Sequence, residues 1–145
     1  MNAMDDAKVL VRRFYEEAWD QGQLDVADEL FASDYVRHDL RADVAAPGPQ
    51  GQKDIATAFR AAFPDLRFVV DFVLAEGDYV AARWTATGTN TGPWGGIAPT
   101  GRRVSLSAVN VFRFADGVVV ELWNHRDDLG LMEQLGVPVH AGAVE

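Results

Sequence analysis

Two asparagines stand where two neighbouring strands should present apolar side chains. From Val104 to Phe114 the chain alternates with period two. Val104, Leu106, Ala108, Phe112 and Phe114 share one face with Asn110, while Ser105, Ser107 and Arg113 take the other. The next segment places Val118, Val120 and Leu122 on one face, with Asn124 following on it. Side chains flip at every residue of a strand, so each set points inward together. A buried amide without partners costs about 1–3 kcal/mol, so two inward amides on adjacent strands imply a pocket with polar groups. An amide can donate a hydrogen bond to a developing oxyanion. It has no lone pair basic enough to take a proton from carbon near neutral pH.

A base must therefore come from elsewhere. Asp39 is the first candidate, because a carboxylate in a partly apolar pocket is strengthened as a base. The alternative is an exposed acid beside Arg37 and Arg41. His38 precedes it, and alternation allows only one of the two to face the pocket unless the strand is bulged. His125 adjoins Asn124 and should point the opposite way, toward Asp127 or Glu121, unless the strand end twists. Tyr15 is either a hydroxyl donor or a core aromatic. Asp65, in a Pro-Asp turn, reads as a turn or capping residue that could still sit at a pocket mouth. Trp19, Phe68, Phe72, Trp84 and Phe112 could wall a planar ligand, with Tyr35 as a further contact. Trp94 lies in a glycine-rich segment, as a lid or as an interface anchor. The histidines at 38, 125 and 140 show no close spacing. No metal is expected, since zinc needs about three protein ligands brought together. No cofactor is expected either: neither a phosphate-binding glycine loop nor a Ser-His-Asp signature is present.

The elements that must position these residues follow from the pattern. Met4, Ala7, Val11, Phe14, Tyr15 and Ala18 recur at helical spacing, predicting an amphipathic helix over 4–20 ended by Gly22. Val26, Ala27, Leu30 and Phe31 make a second short helix, and Tyr35 to Leu40 a short strand. Residues 43–51, with Pro47, Gly48, Pro49 and Gly51, read as loop. Ile55, Ala58, Phe59, Ala62 and Phe63 make a third helix stopped by Pro64. Strands then follow: Leu66, Phe68, Val70, Phe72 and Leu74 alternate, and Tyr79 to Thr87 turns Val80, Ala82, Trp84 and Ala86 to one side. Residues 88–102 are a loop, and Asp116-Gly117 joins the last two strands as a hairpin. Asp127 or Asp128 caps a final helix through Gln134. Three helices packed on a curved antiparallel sheet give an α+β fold with a cone-shaped pocket.

At 145 residues the chain is of single-domain length, and it carries a net charge of -9 with 13 Lys and Arg against 22 Asp and Glu. That balance argues against nucleic acid and against an anionic membrane surface as partners. The absence of cysteine excludes thiol catalysis and disulfides. No apolar run approaches the roughly 20 residues of a spanning helix, and the polar, acidic start is unlike a signal peptide, so the expected compartment is cytoplasmic. Ser105, Ser107, Val109, Val111 and Trp123 form an outer sheet face too apolar to leave in water, which predicts a homodimer through the sheets.

The order of elements resembles the nuclear transport factor 2-like fold, and within it the chain resembles the SnoaL-like polyketide cyclase family. The residues carrying the likeness are Gly22, Asp34-Tyr35, Ala62-Phe63-Pro64-Asp65-Leu66-Arg67, Ala75-Glu76-Gly77-Asp78, Ala82-Arg83-Trp84, Pro99-Thr100-Gly101-Arg102-Arg103, Asp116-Gly117, and Leu129-Gly130 through Gln134-Leu135-Gly136. The resemblance implies cofactor-free ring closure by an intramolecular aldol step, in which an acidic residue abstracts a proton from carbon. It places the family's catalytic Asp on Asn124 and its partner His on Asn110, so this chain departs from the pattern at both. Some relatives on the fold are hydroxylases that use the pocket for oxygen chemistry without a metal. The ketosteroid isomerases share the fold. By local spacing their Tyr falls on Tyr15, their base on Asp39 and their oxyanion-hole Asp on Asn110.

The expectation is a small cofactor-independent enzyme of secondary metabolism that binds a hydrophobic, polycyclic or polyketide-derived ketone. Asp39 or His38 abstracts a proton next to the carbonyl, and Asn110, Asn124 and Tyr15 hold the oxyanion. The outcome is cyclisation or hydroxylation. The alternatives are an isomerase or epoxide hydrolase, and a binding module that keeps the pocket without the chemistry.

Overall fold

In the computed structural model, residues 2–39 and 47–138 are described. Helix α1 (Ala3–Arg13) opens on a capping box in which the Asn2 side chain accepts from the Asp5 backbone and Asp5 reaches back. The expected single helix does not run on as α-helix. It widens into a π-helix over Phe14–Asp20. Phe14, Tyr15, Ala18 and Trp19 lie on its buried side. Helix α2 (Val26–Leu30) follows. Helix α3 (Pro49–Ala62) starts inside the stretch read as loop, because Pro49 at the first helical position loses no hydrogen bond there. Leu40 and the predicted loop residues 43–46 lie outside the described residues.

The sheet is open, with five strands: β1 (Phe31–Asp39), β2 (Arg67–Glu76), β3 (Tyr79–Thr89), β4 (Arg103–Ala115) and β5 (Val118–Arg126), in the order β1-β5-β4-β3-β2. Four strands run antiparallel as expected, and β1 joins parallel to β5 at the edge. The β4–β5 turn has Asp116 and Gly117 both at positive φ, the type I′ geometry that Asp-Gly favours. Helix α4 (Asp128–Gln134) is capped by Asp127, whose carboxylate accepts from the Gly130 backbone.

Two bulges alter the sequence reading. One between Val70 and Phe72 reverses the alternation of β2. Phe68 is buried, but Phe72 and Leu74 turn to the outer, exposed side, so Phe72 is no part of an aromatic wall. The other lies between Phe114 and Arg113 opposite β5. It makes Val119 the buried valine instead of Val118 and Val120, and alternation resumes inward with Leu122, Asn124 and Arg126. The core fills the concave side of the sheet under α1, the π-helix and α3. Among the described residues no helix is long and apolar enough to cross a membrane.

Strand β3 runs on through Gly88 and Thr89, which the sequence reading placed in the loop, and the loop between Thr89 and Arg103 is fixed by a buried residue that the reading passed over. Asn90 accepts from the Thr100 backbone and hydroxyl and donates to the Gly92 carbonyl. Gly92 passes so close to α3 that an added Cβ would lie 2.0 Å from the Ala61 carbonyl oxygen. Asp65 clamps the start of this loop by accepting from the Thr89 backbone at 2.6 Å and its hydroxyl at 2.8 Å. These bonds hold its carboxyl below its usual value of 3.8. A depressed folded-state value means that this stabilisation is complete above the unfolded value and is lost as pH falls through the folded one. Asp65→Asn should therefore lower the melting temperature at about pH 6 and lower it less at about pH 2.5, as read by circular dichroism. An equal drop at both values would remove the clamp.

Candidate active site

One transverse row of the sheet carries the polar groups. Ala82 of β3, Asn110 of β4, Asn124 of β5 and Asp39 of β1 are direct cross-strand neighbours, and all four face the concave side. Asn110 and Asn124 are 6% and 8% exposed. Ala82 leaves room beside Asn110, and Tyr15 from the π-helix reaches it there. The Tyr15 hydroxyl donates to Asn110 Oδ1 at 2.7 Å, and Trp84 Nε1 donates to the same oxygen at 2.5 Å. Asn110 Nδ2 donates to Asn124 Oδ1 at 2.6 Å, and Asn124 Nδ2 to Asp39 Oδ2 at 3.2 Å. Arg37 Nη2 donates to that Asp39 oxygen at 2.5 Å from two residues back on the same strand face. The row thus ends on a carboxylate that is 12% exposed and ion-paired to an arginine that is 16% exposed.

A cavity lies over this row. Its walls are Phe14, Tyr15 and Trp19 of the π-helix, Gln52, Ile55 and Phe59 of α3, and sheet residues including Trp84, Phe112 and Leu122. Arg37, Asn110, Asn124 and Arg126 supply its polar lining. Its free volume is about 30 Å³, room for a water or two. A ligand of several rings needs a few hundred Å³, more than the cavity holds in this conformation. Trp94 of that loop packs on Phe59 at 4.4 Å between ring centroids. The Arg126 guanidinium lies over both rings, 4.8 Å from Phe59 and 5.7 Å from Trp94, and donates to Asp128. Trp94 therefore sits behind α3 at the cavity's edge and is not itself a wall.

The sequence-predicted residues fall into three groups. Asn110, Asn124, Tyr15, Trp19, Trp84 and Phe112 line the cavity, and Asp39 is bonded to it through Asn124. Phe68 and Tyr35 stand one layer back. Phe68 stacks on Tyr15 at 5.9 Å, and the Tyr35 hydroxyl accepts from Gln52 at 2.9 Å. His38, His125 and Asp65 are elsewhere. Strand alternation sends His38 outward, where Nε2 contacts Glu121 at 2.7 Å and the ring stacks on Trp123 at 5.1 Å. His125 is exposed on the same convex side. Asp65 is at the loop clamp. None of these three can reach the cavity, so Asp39 alone remains of the candidate bases.

Burial raises the Tyr15 hydroxyl well above its usual value, so it stays protonated and donates. Glu121 is held below its usual value by the His38 and Arg113 side chains. The reading missed Arg37, Gln52, Phe59 and Arg126. The signal was present for the arginines: Arg37 precedes Asp39 by two and Arg126 follows Asn124 by two, the strand spacing for one face. Among the described residues no cluster of His, Asp and Glu could hold a metal.

The fold and an enclosed aromatic cavity with a polar row define a small-molecule pocket of the α+β cone type. The chain belongs to the SnoaL-like polyketide cyclase family, whose sequence pattern matches residues 9–135. It is 29% identical over 131 residues to the aklanonic acid methyl ester cyclase DauD of Streptomyces sp. (strain C5), covering 89% of this chain and 81% of that one. It is 28% identical over 122 residues to the nogalonic acid methyl ester cyclase of Streptomyces nogalater, covering 83% and 91%. Among solved structures, AclR of Streptomyces galilaeus, a proposed hydroxylase, superposes with a TM-score of 0.80 at 32% identity over 94% of this chain and 99% of that one.

Asn110 holds three partners at once. Asn110→Ala strands the Trp84 indole and the Tyr15 hydroxyl and should cost about 3 kcal/mol. Tyr15→Phe removes one donor and should cost about 1 kcal/mol. Urea denaturation of both variants checks the order, and equal losses would contradict the network.

Proposed function

We propose that this protein is a cofactor-independent enzyme of polyketide metabolism that acts on a polycyclic or polyketide-derived ketone. Asp39 is the general base. The observation that carries this reading is the Asn124-to-Asp39 hydrogen bond. The position where the family resemblance puts the acid is an amide, and that amide hands its N–H to a carboxylate on the next strand. Asp39 takes a proton from the carbon next to a substrate carbonyl, and the C–H electron pair becomes the enolate. In cyclisation the enolate carbon attacks a second carbonyl of the same molecule, and the new alkoxide takes up a proton. The curated relatives, whose names record ring-closing cyclases, support this outcome. The likeness to AclR supports capture of the same carbanion by dioxygen as a second outcome. An isomerase would return the proton to another carbon.

Product analysis with aklanonic acid methyl ester, with and without dioxygen, separates these fates. Asp39→Asn should lower kcat by roughly 100-fold or more, within the range of general-base catalysis. Wild-type turnover in that variant would remove Asp39 as the base, whereas ligand binding with no turnover by the wild-type protein would move it to the second reading, a binding module. The mutual hydrogen bond of Asn110 and Asn124 supports that reading, since neither amide can titrate.

A cytoplasmic homodimer completes the proposal. On the convex face Leu74, Ala81, Val111 and Trp123 form a continuous cross-strand row, beside exposed Phe72, Tyr79 and Val109. Arg113 and Glu121 flank the row as an ion pair, so two copies related by a two-fold axis would offer each other matched apolar centres. Sedimentation should show a dimer that Val109→Glu converts to monomer. A monomeric wild-type protein would remove the interface.

A further inference from the structure

The donors that the sequence reading assigned to the oxyanion are partly engaged. Tyr15 gives its one proton to Asn110, and each asparagine amide spends one of its two N–H groups along the row toward Asp39. Among the buried donors at the same cavity, Trp19 Nε1 and Arg37 Nε are atoms with no hydrogen-bond partner among the described residues. Trp19 is 7% exposed, and both residues line the cavity. A buried N–H left unmet costs about 1–3 kcal/mol, and folded proteins retain few of them. Their position around one aromatic-walled space gives them a common acceptor source.

The geometry of the guanidinium sharpens the case. Nε–H and Nη2–H lie on one edge of the group and point in parallel, as in a two-pronged carboxylate grip. Arg37 uses only the Nη2 prong on Asp39. An acceptor oxygen on the Nε prong is thereby seated beside the Asp39 carboxylate.

We propose that Arg37 Nε and Trp19 Nε1 form a two-point oxygen subsite for a planar aromatic ligand carrying at least two acceptor oxygens. Arg37 holds the carbonyl whose neighbouring carbon faces Asp39, and its positive charge stabilises the oxygen as the enolate forms. Trp19 holds a second oxygen and fixes the ring's orientation. The inference rests on the reading of Asp39 as base and assigns the oxyanion donors of that site.

The test is a pair of probes titrated by tryptophan fluorescence: danthron, a dihydroxyanthraquinone, and anthracene, the same ring system without oxygen. Trp19→Phe removes the N–H and keeps an aromatic ring. Arg37→Lys keeps the charge beside Asp39 and removes Nε, so it carries the test even where Trp19→Phe fails to fold. Each variant should weaken danthron by roughly 5- to 100-fold, the equivalent of one lost buried hydrogen bond, and leave anthracene within about twofold. Equal loss of both probes, or loss of neither, overturns the subsite. Binding needs no proton transfer, so the two proposals fail separately. An inactive Asp39→Asn together with an unchanged danthron preference sinks the subsite alone. An active Asp39→Asn together with a lost preference sinks the base alone.

Discussion

Two fixed ends decide the orientation of everything between them in the concave face. Trp84 Nε1 can only donate, and the Asp39 carboxylate can only accept. Between them lie two amides that could each face either way. The indole forces Asn110 to present its oxygen, which sends the Asn110 nitrogen toward Asn124. Asn124 must then offer oxygen to that nitrogen and nitrogen to Asp39. The chain has one satisfied direction, and every N–H dipole in it points toward the carboxylate. In a low-dielectric interior such aligned bonds reinforce one another. Either asparagine replaced by an apolar residue breaks the chain of bonds on both of its sides.

The surrounding elements are shaped to meet that row. Phe14, Tyr15, Ala18 and Trp19 all lie on the buried side of the π-helix at Phe14–Asp20. Ala82 and Ala108 are small residues of the concave face set beside longer ones: Ala82 pairs with Asn110, and Ala108 pairs with Trp84 on one side and Arg126 on the other. The parallel addition of β1 at the sheet edge brings Arg37 and Asp39 in register with Leu122 and Asn124. The base we propose is therefore delivered from the sheet edge, beside the central-strand position to which the family resemblance assigns the acid.

The alternation in β3 and β4 was legible because those strands are regular and half-buried, and Asn110 stood out against it. The same rule failed on β2 and β5, where single bulges at Asp71 and near Val120 change phase without any Gly or Pro to announce them. Choosing Asp39 over His38 needed knowledge of where Tyr35 sits, since phase along β1 is set by contacts with α3 and not by local pattern. Asn90 and Arg37 were passed over for a related reason. A polar residue in a polar stretch gives no signal of burial until the chain packs around it.

The separation of the two faces of the sheet also bears on how the site works. Odd and even positions of the same strands feed two unrelated networks: Asp39, Asn124 and Asn110 within, and His38, Trp123, Glu121 and Arg113 without. His38 is thereby spent on the convex face, on Glu121 and Trp123. The proposed base is a carboxylate gripped by one prong of an arginine, Nη2, while the parallel Nε prong has no hydrogen-bond partner among the described residues. That asymmetry leaves a donor beside the carboxylate, which a two-pronged buried salt bridge would close on itself.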